Sequence, residues 1–364
     1  MANWIVREFI ANEIPQKTAR NKARDDIEAI LLKENYGVIT VKEPGDTRTK
    51  SGYLKKILYH FKLKRVWEEK FKHLKKDDVV LIQLPVLNHS FFLDNVIKKM
   101  RRKGVRFFAV VHDLECIRMA HADGVSSVSK WRMIKEELKT LKSFTKVIVH
   151  NKSMKDFLKR EYGISNKKLI CLNIFDYLIV NEKKLSSLKK SNRTDLCIIA
   201  GNLEPEKAGY VYKLPCDQKF VLYGPNYLDN NKYKANIIYK GEFFPDELPY
   251  MLEGDFGVIW DGNDTQTCAG LYGQYLKVNN PHKTSLYIAA GIPVIVWKNA
   301  AIAEVIERFG CGITISSLNE VREAVSDITD EQYSAMKDRV RKVSRLLRNG
   351  YFTKRAINKC FLKQ

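Results

Sequence analysis

Short apolar runs alternate with longer stretches of helical period along most of this chain. In the first half the runs are Val79–Leu84, Val105–Val111, Lys146–Val149 and Leu169–Leu172. Between them, Phe92–Arg102 and Lys130–Phe144 place apolar residues three and four positions apart. The second half repeats the alternation with Leu196–Ala200, Phe220–Tyr223, Ile237–Tyr239, Phe256–Trp260, Pro293–Trp297 and Gly312–Ile315. Runs that are continuous rather than alternating belong to strands buried on both faces, and the helices between them supply the cover. The pattern therefore predicts two doubly wound α/β units built on parallel sheets. The polar stretch Asn181–Asp195 (NEKKLSSLKKSNRTD) has no apolar period and reads as a linker. The expected organisation is one α/β domain over residues 1–180, a linker over 181–195, a second α/β domain over 196–350, and a basic amphipathic helix in 351–364 that packs back on the first domain.

In open parallel sheets, ligands bind beyond the carboxyl ends of the strands. Many of the runs end in glycine or polar residues: His112-Asp113, His150-Asn151, Gly201-Asn202, Gly224-Pro225, Lys240-Gly241 and Asp261-Gly262. Two such domains face to face would line a cleft with them. Near the end of the second unit, Asn280-Pro281 closes a loop and His282, Lys283 and Thr284 open a helix. The free N–H groups and dipole of that helix start make an anion site, to which Lys283 adds a full charge suited to a diphosphate. A helix start with a solvated lysine is also common. Gly201 permits close backbone approach after its strand, and Lys207 can reach a phosphate from the side opposite Lys283. Tyr223, Gly224 and Phe244 stand where strand ends meet a base, although aromatic residues in such places also serve as core. There is no G-x-x-x-x-G-K-[ST] and no G-x-G-x-x-G.

Composition sharpens this picture. The chain has 364 residues, 45% hydrophobic and 29% charged, which excludes disorder and suits two domains. The formal net charge is +21. Residues 1–200 hold 42 basic and 23 acidic side chains, whereas residues 201–364 hold 21 and 19. The first half is thus expected to meet something polyanionic, either a nucleic acid or an anionic membrane. The stretch Lys55–Lys76 and the cluster Lys98–Lys103 set cations around apolar positions. They fit a helix on an anionic bilayer, and also a helix packed on the sheet with a solvated basic face. Met1–Gln16 shows no signal-peptide pattern, and the seven cysteines form no C-x-x-C pair. The expectation is a cytoplasmic protein with reduced thiols, peripheral on the inner face of the membrane.

The segment Lys277–Trp297 (KVNNPHKTSLYIAAGIPVIVW) resembles the nucleotide-sugar segment of GT-B glycosyltransferases. Further stretches match in order over nearly the whole chain: Asn21–Asp26, His112-Asp113, Phe175-Asp176-Tyr177 and Lys240–Leu252. Together they look like the bacterial subfamily of galactofuranosyltransferases and of glucosyltransferases that extend sugars on serine-rich repeat adhesins. The resemblance implies a GT-B fold, in which two Rossmann-like domains face a cleft, and transfer of a hexosyl group from a UDP-sugar to a saccharide acceptor. It implies a donor site including Gly201, Asn202, Lys207, Tyr223, Gly224, Phe244, Asn280, His282, Lys283 and Thr284, with uracil held along Lys240–Leu248. It also implies an acceptor border on the first loop and helix, at Thr18, Asn21 and Lys22. No cofactor or metal is expected, since GT-B enzymes replace the metal with basic residues and helix dipoles. Leu286 stands where many retaining relatives carry a ribose-binding glutamate, so a retaining mechanism is not implied. For a transfer needing a base, Asp113, or His112 beside it, is the candidate; both also suit a strand-end cap. A nucleic-acid-binding protein has the charge but no helix-turn-helix, zinc or RNP signature, so no nucleic-acid partner is expected. A nucleotide-sugar epimerase shares the architecture and stays open, as does a second copy of the chain as a partner.

Overall fold

The computed structural model describes residues 1–9, 21–42, 53–87, 90–115, 117, 127–187, 193–228 and 235–362. Thr18, Arg20 and Arg118 lie outside them. The chain forms two six-stranded sheets in which every pairing is parallel. The first holds β1 (Asn3–Phe9), β2 (Gly37–Lys42), β3 (Val79–Leu84), β4 (Arg106–Val111), β5 (Lys146–Val149) and β6 (Leu169–Cys171), in the order β2-β1-β3-β4-β5-β6. The second holds β7 (Cys197–Ala200), β8 (Phe220–Tyr223), β9 (Ile237–Tyr239), β10 (Phe256–Ile259), β11 (Val294–Trp297) and β12 (Gly312–Ile315), in the order β12-β11-β10-β7-β8-β9. Numbered within its own half, that order reads 3-2-1-4-5-6, the Rossmann order, with its switch point between β7 and β10.

Side chains alternate between the two faces of the first sheet. Val80, Ile82, Phe107 and Ala109 face the cluster that includes Leu63, Trp67, Phe71, Val96 and Ile97 of the helices Tyr53–Phe71 and Leu93–Arg102. Val79, Leu81, Phe108 and Val110 join a second cluster that continues through Ile174, Phe175 and Tyr177 into the second domain. The two domains thus share one apolar body.

Two strands and part of the linker differ from the sequence expectation. The strands β1 and β2 carry polar or charged residues among their apolar ones (NWIVREF, GVITVK), so neither shows a continuous run. Only Asn3–Ile5 of β1 pairs with β3, which leaves Arg7 beyond the buried part, bonded to Glu28. The span 181–195 contains the helix Glu182–Ser187, whose Leu185 is buried, and ends with Arg193 donating to the carbonyls of Val325 and Ile328 at 2.6 and 2.5 Å. These anchors are single side chains, which a search for periodicity does not register. Residues 188–192 of that span lie outside the described set.

The terminal helix Tyr351–Phe361 lies against the first domain. Phe361 meets Phe108 edge-on at 5.3 Å, and the Arg106 guanidinium lies 5.2 Å from the centre of its ring. Asp176, on the segment that crosses between domains, accepts the N–H groups of Phe352 and Thr353 at 3.2 and 2.6 Å and so caps the helix.

Candidate active site

The carboxyl ends of the second sheet converge on two groups of residues. At the switch point, Lys283 lies in the first turn of the helix His282–Ala289. Its ammonium donates to the Trp260 carbonyl at 2.6 Å and to Asp261 Oδ1 at 2.9 Å, so it sits just past the end of β10. Lys207 meets the same turn: its carbonyl accepts the Gly262 N–H at 2.9 Å, and its ammonium lies 5.7 Å from the centre of the Tyr272 ring. Lys283 thus meets the turn Trp260–Gly262 with its ammonium and Lys207 with its backbone. The second group forms where β7 and β8 end. Gly201 N–H donates to Tyr223 O at 3.0 Å, and Asn202 Oδ1 accepts from Asn226 Nδ2 at 2.9 Å. Gly224 has φ +139°, and a Cβ built on it would lie 1.8 Å from Gly201 O. Only glycine lets these two strand ends approach so closely.

Other residues assigned to the donor are placed differently. Tyr223 turns away from the rim: its ring is buried, and its hydroxyl donates to Met251 O and accepts from Glu253 N, both at 2.9 Å. Burial pushes its pKa up to about 12. Thr284 is 0% exposed, with its hydroxyl inside the core. Phe244 is exposed, on the turn that leads to Leu248–Met251. His282 stacks on Tyr177 at 5.1 Å and meets Phe175 at 6.0 Å, facing the crossing segment rather than β10.

Asn280 holds the two domains together. Its Nδ2 donates to the carbonyls of His150 and Asn173 at 2.9 and 2.8 Å, and its Oδ1 accepts from Asn151 Nδ2 at 2.7 Å. Its N–H donates to His150 Nδ1 at 2.9 Å. Both amide hydrogens are engaged in the first domain, which leaves none for a donor. The same bonds fix His150, whose Nδ1 must carry the lone pair while Nε2–H donates to Val111 O at 3.1 Å. Burial pushes the His150 pKa down to about 4.

Lys22, assigned to the acceptor, is also part of the junction. It is 8% exposed, and its ammonium reaches Asp26 Oδ1 at 2.7 Å, Asp246 Oδ1 at 2.8 Å and Leu178 O at 3.0 Å, over the ring of Tyr177. Asp246 belongs to the stretch Lys240–Leu248, and Tyr177 donates to Pro245 O at 2.7 Å. The acceptor-side helix is thereby fastened to the loop the resemblance assigns to uracil. Asn21 precedes that helix, and its carbonyl accepts from Arg24 and Asp25.

His112 and Asp113 follow β4 and are half-buried. Gln83 fixes the histidine. Its Nε2 donates to Arg24 O at 3.2 Å, so its Oε1 faces His112 Nε2 at 2.8 Å and that nitrogen carries the proton. The imidazole stacks on Phe175 at 5.5 Å, and burial, with the charge of Arg24, pushes its pKa well below 6.5. The neighbouring Leu114 N–H donates to the Tyr275 hydroxyl at 3.0 Å, closing the first domain on the helix Gly270–Tyr275 of the second. Gln83, His150 and Asp176 were not among the assigned site residues. Gln83 had a signal, as the one polar residue in the run VVLIQL. Among the described residues no three His, Cys, Asp or Glu side chains gather as a metal site.

Residues 2–174 match the Glucosyltransferase 3-like N-terminal domain and residues 197–360 the Glucosyltransferase 3-like C-terminal domain. The chain is 31% identical over 283 residues to the beta-1,6-galactofuranosyltransferase WbbI of Escherichia coli K12, covering 77% of this chain and 78% of the relative. It is 28% identical to Glucosyltransferase 3 of Streptococcus gordonii, with the same coverage of each chain. Among solved structures, WaaG, a glycosyltransferase involved in lipopolysaccharide biosynthesis, superposes with a TM-score of 0.57 at 12% identity, over 100% of both chains. Sucrose-phosphate synthase of Thermosynechococcus elongatus gives 0.59 at 12% identity, over 99% of each. These two carry the fold alone. The paired sheets and their facing carboxyl ends are thus the GT-B architecture, and the chain belongs to the Glucosyltransferase 3-like family of hexosyltransferases.

Proposed function

We propose that the protein transfers a hexosyl group, galactofuranosyl in the first instance, from a UDP-sugar to a saccharide acceptor in cell-surface polysaccharide assembly. The observation that carries this is Lys283, set in the first turn of its helix at the switch point of a 3-2-1-4-5-6 sheet. A diphosphate there meets free helix N–H groups, the helix dipole and one ammonium. Negative charge grows on the diphosphate as the bond from the anomeric carbon to its oxygen breaks, and these groups favour that growth over the ground state. UDP leaves, and the acceptor oxygen takes its place on the anomeric carbon. In an inverting transfer the hydroxyl proton passes to Asp113. His112 lies beside it, neutral and held by Gln83. The galactofuranosyl reading follows the name of WbbI, and the alternative, a glucosyl transfer that extends glycans on an adhesin, takes its glucosyl part from the name of the streptococcal relative.

Transfer from UDP-galactofuranose and from UDP-glucose, with wild type and Asp113→Asn, tests the reading. A preference for UDP-galactofuranose and a loss of about 10²–10⁴-fold in kcat on removing the carboxylate are expected. Near-normal turnover by a folded Asp113→Asn enzyme would remove the base. Faster transfer from UDP-glucose would favour the glucosyl reading. We further propose that the enzyme works at the anionic inner face of the membrane, which the charge of the first half supports.

A further inference from the structure

The helices Tyr53–Phe71 and Leu93–Arg102 lie side by side on the first sheet. Their buried positions, among them Leu63, Trp67, Phe71, Val96 and Ile97, are consumed by the core. Apolar side chains nevertheless remain on the outside: Leu58 is 58% exposed, Phe61 46% and Phe91 39%. They are contiguous. Phe61 packs at a tilt on Phe92 at 4.8 Å, Phe92 meets Phe91 at 5.0 Å, and Phe91 lies 5.9 Å from His60. Exposed cations share the same ground. Leu58, Phe61, Lys62 and Arg65 follow one helical stripe. Lys98 is exposed on the neighbouring helix, within two turns of Phe92, while Arg102 and Lys103 stand at that helix's far end, away from the rings. Aromatic rings ringed by lysine and arginine suit the headgroup region of an anionic bilayer, where the rings enter the interface and the cations meet lipid phosphates.

The position of the patch carries the argument further. Phe91 and Phe92 follow the carboxyl end of β3, whose Leu84 pairs with Val111 immediately before His112. Leu87, between them, donates to Glu8 of β1. The patch therefore stands on the same rim of the first sheet as the proposed base. We infer that this aromatic and basic patch seats the enzyme on an anionic bilayer, with its cleft turned to an acceptor carried on a lipid. The second half of the inference rests on the hexosyl-transfer reading above; the first does not.

Co-sedimentation of the full chain with vesicles of phosphatidylcholine alone, or mixed with phosphatidylglycerol, tests the seat. Binding to the mixed vesicles, released by salt, is expected. Phe61→Ser with Phe91→Ser should weaken it by about tenfold or more. Phe61→Trp should retain it, and Leu346→Ser, an exposed apolar change in the other domain, should leave it unchanged. Equal binding with and without anionic lipid, or equal weakening by Leu346→Ser, overturns the seat. Transfer to a lipid-linked saccharide in vesicles and to a short soluble saccharide then tests the acceptor class. The double variant should lose only the first. If transfer to the soluble saccharide falls as much, the rings bind the sugar itself and the inference is wrong.

Discussion

Replacing Asn280 with alanine separates a junction from a donor contact. The side chain is 3% exposed and makes three hydrogen bonds to the first domain, at 2.7, 2.8 and 2.9 Å. Each such bond contributes about 1 kcal/mol net, and a buried polar group left unpaired costs about 1–3 kcal/mol. The His150 carbonyl keeps a second donor in the Asn173 N–H, and Asn151 Nδ2 keeps the Val278 carbonyl, so only part of the penalty applies. A loss of roughly 3–4 kcal/mol follows, and at about 1.3 °C per kcal/mol for a chain of 364 residues it lowers Tm by roughly 4–5 °C. Asn280→Asp should destabilise more at neutral pH, because a carboxylate oxygen replaces the amide that faces two carbonyls, and less in acid, where a protonated carboxyl donates again. Differential scanning fluorimetry gives Tm and calorimetric titration gives UDP affinity. The junction role predicts a lower Tm with UDP affinity kept within about threefold, under 1 kcal/mol. A tenfold loss of UDP affinity at unchanged Tm would refute it and return Asn280 to the donor site.

Two further outcomes follow from the geometry. Gly224→Ala places a methyl 1.8 Å from Gly201 O at a φ that side chains rarely adopt, so a loss above about 4 kcal/mol, or failure to fold, is expected in urea titration. Wild-type behaviour would mean the strand ends stand further apart. His150 has its pKa depressed by burial, so it contributes stability that is present above pH ~6.5 and lost as pH falls towards 4. Asp176, raised to about 6 by burial, acts in the opposite sense, its contribution being lost as pH rises through 6. An NMR titration should keep the His150 imidazole neutral and Nε2-protonated down to pH ~5; a midpoint near 6.5 would contradict the buried clasp.

Most strands of both sheets were legible because parallel strands buried on two faces are apolar almost throughout, as in FVLY and VIVW. The strands β1 and β2 escaped because charged and polar residues break their runs. At the site, the close approach at Gly201 and Gly224 and the helix opening at Lys283 were readable because tight backbone contacts and helix starts call for those residue types. Lys22, Asn280 and Tyr223 were assigned by motif, and the structure engages them elsewhere: Lys22 and Asn280 bridge domains, and Tyr223 bonds beneath its own sheet. A polar residue beside a binding motif looks the same in sequence whether it meets a ligand or the other domain. Only the distance in space between positions 150 and 280, or 22 and 246, separates the two.

The measurement closest to the central claim is UDP binding to wild type and to Lys283→Ala by calorimetric titration. A charge-assisted hydrogen bond to phosphate is worth about 1.5–3 kcal/mol, so the variant should bind UDP roughly 10- to 150-fold more weakly. It also leaves Asp261 without its ammonium, so Tm falls as well and affinity is compared well below both transitions. GDP should bind neither protein appreciably. UDP affinity unaltered by the loss of Lys283 would contradict a donor diphosphate at the start of the helix His282–Ala289.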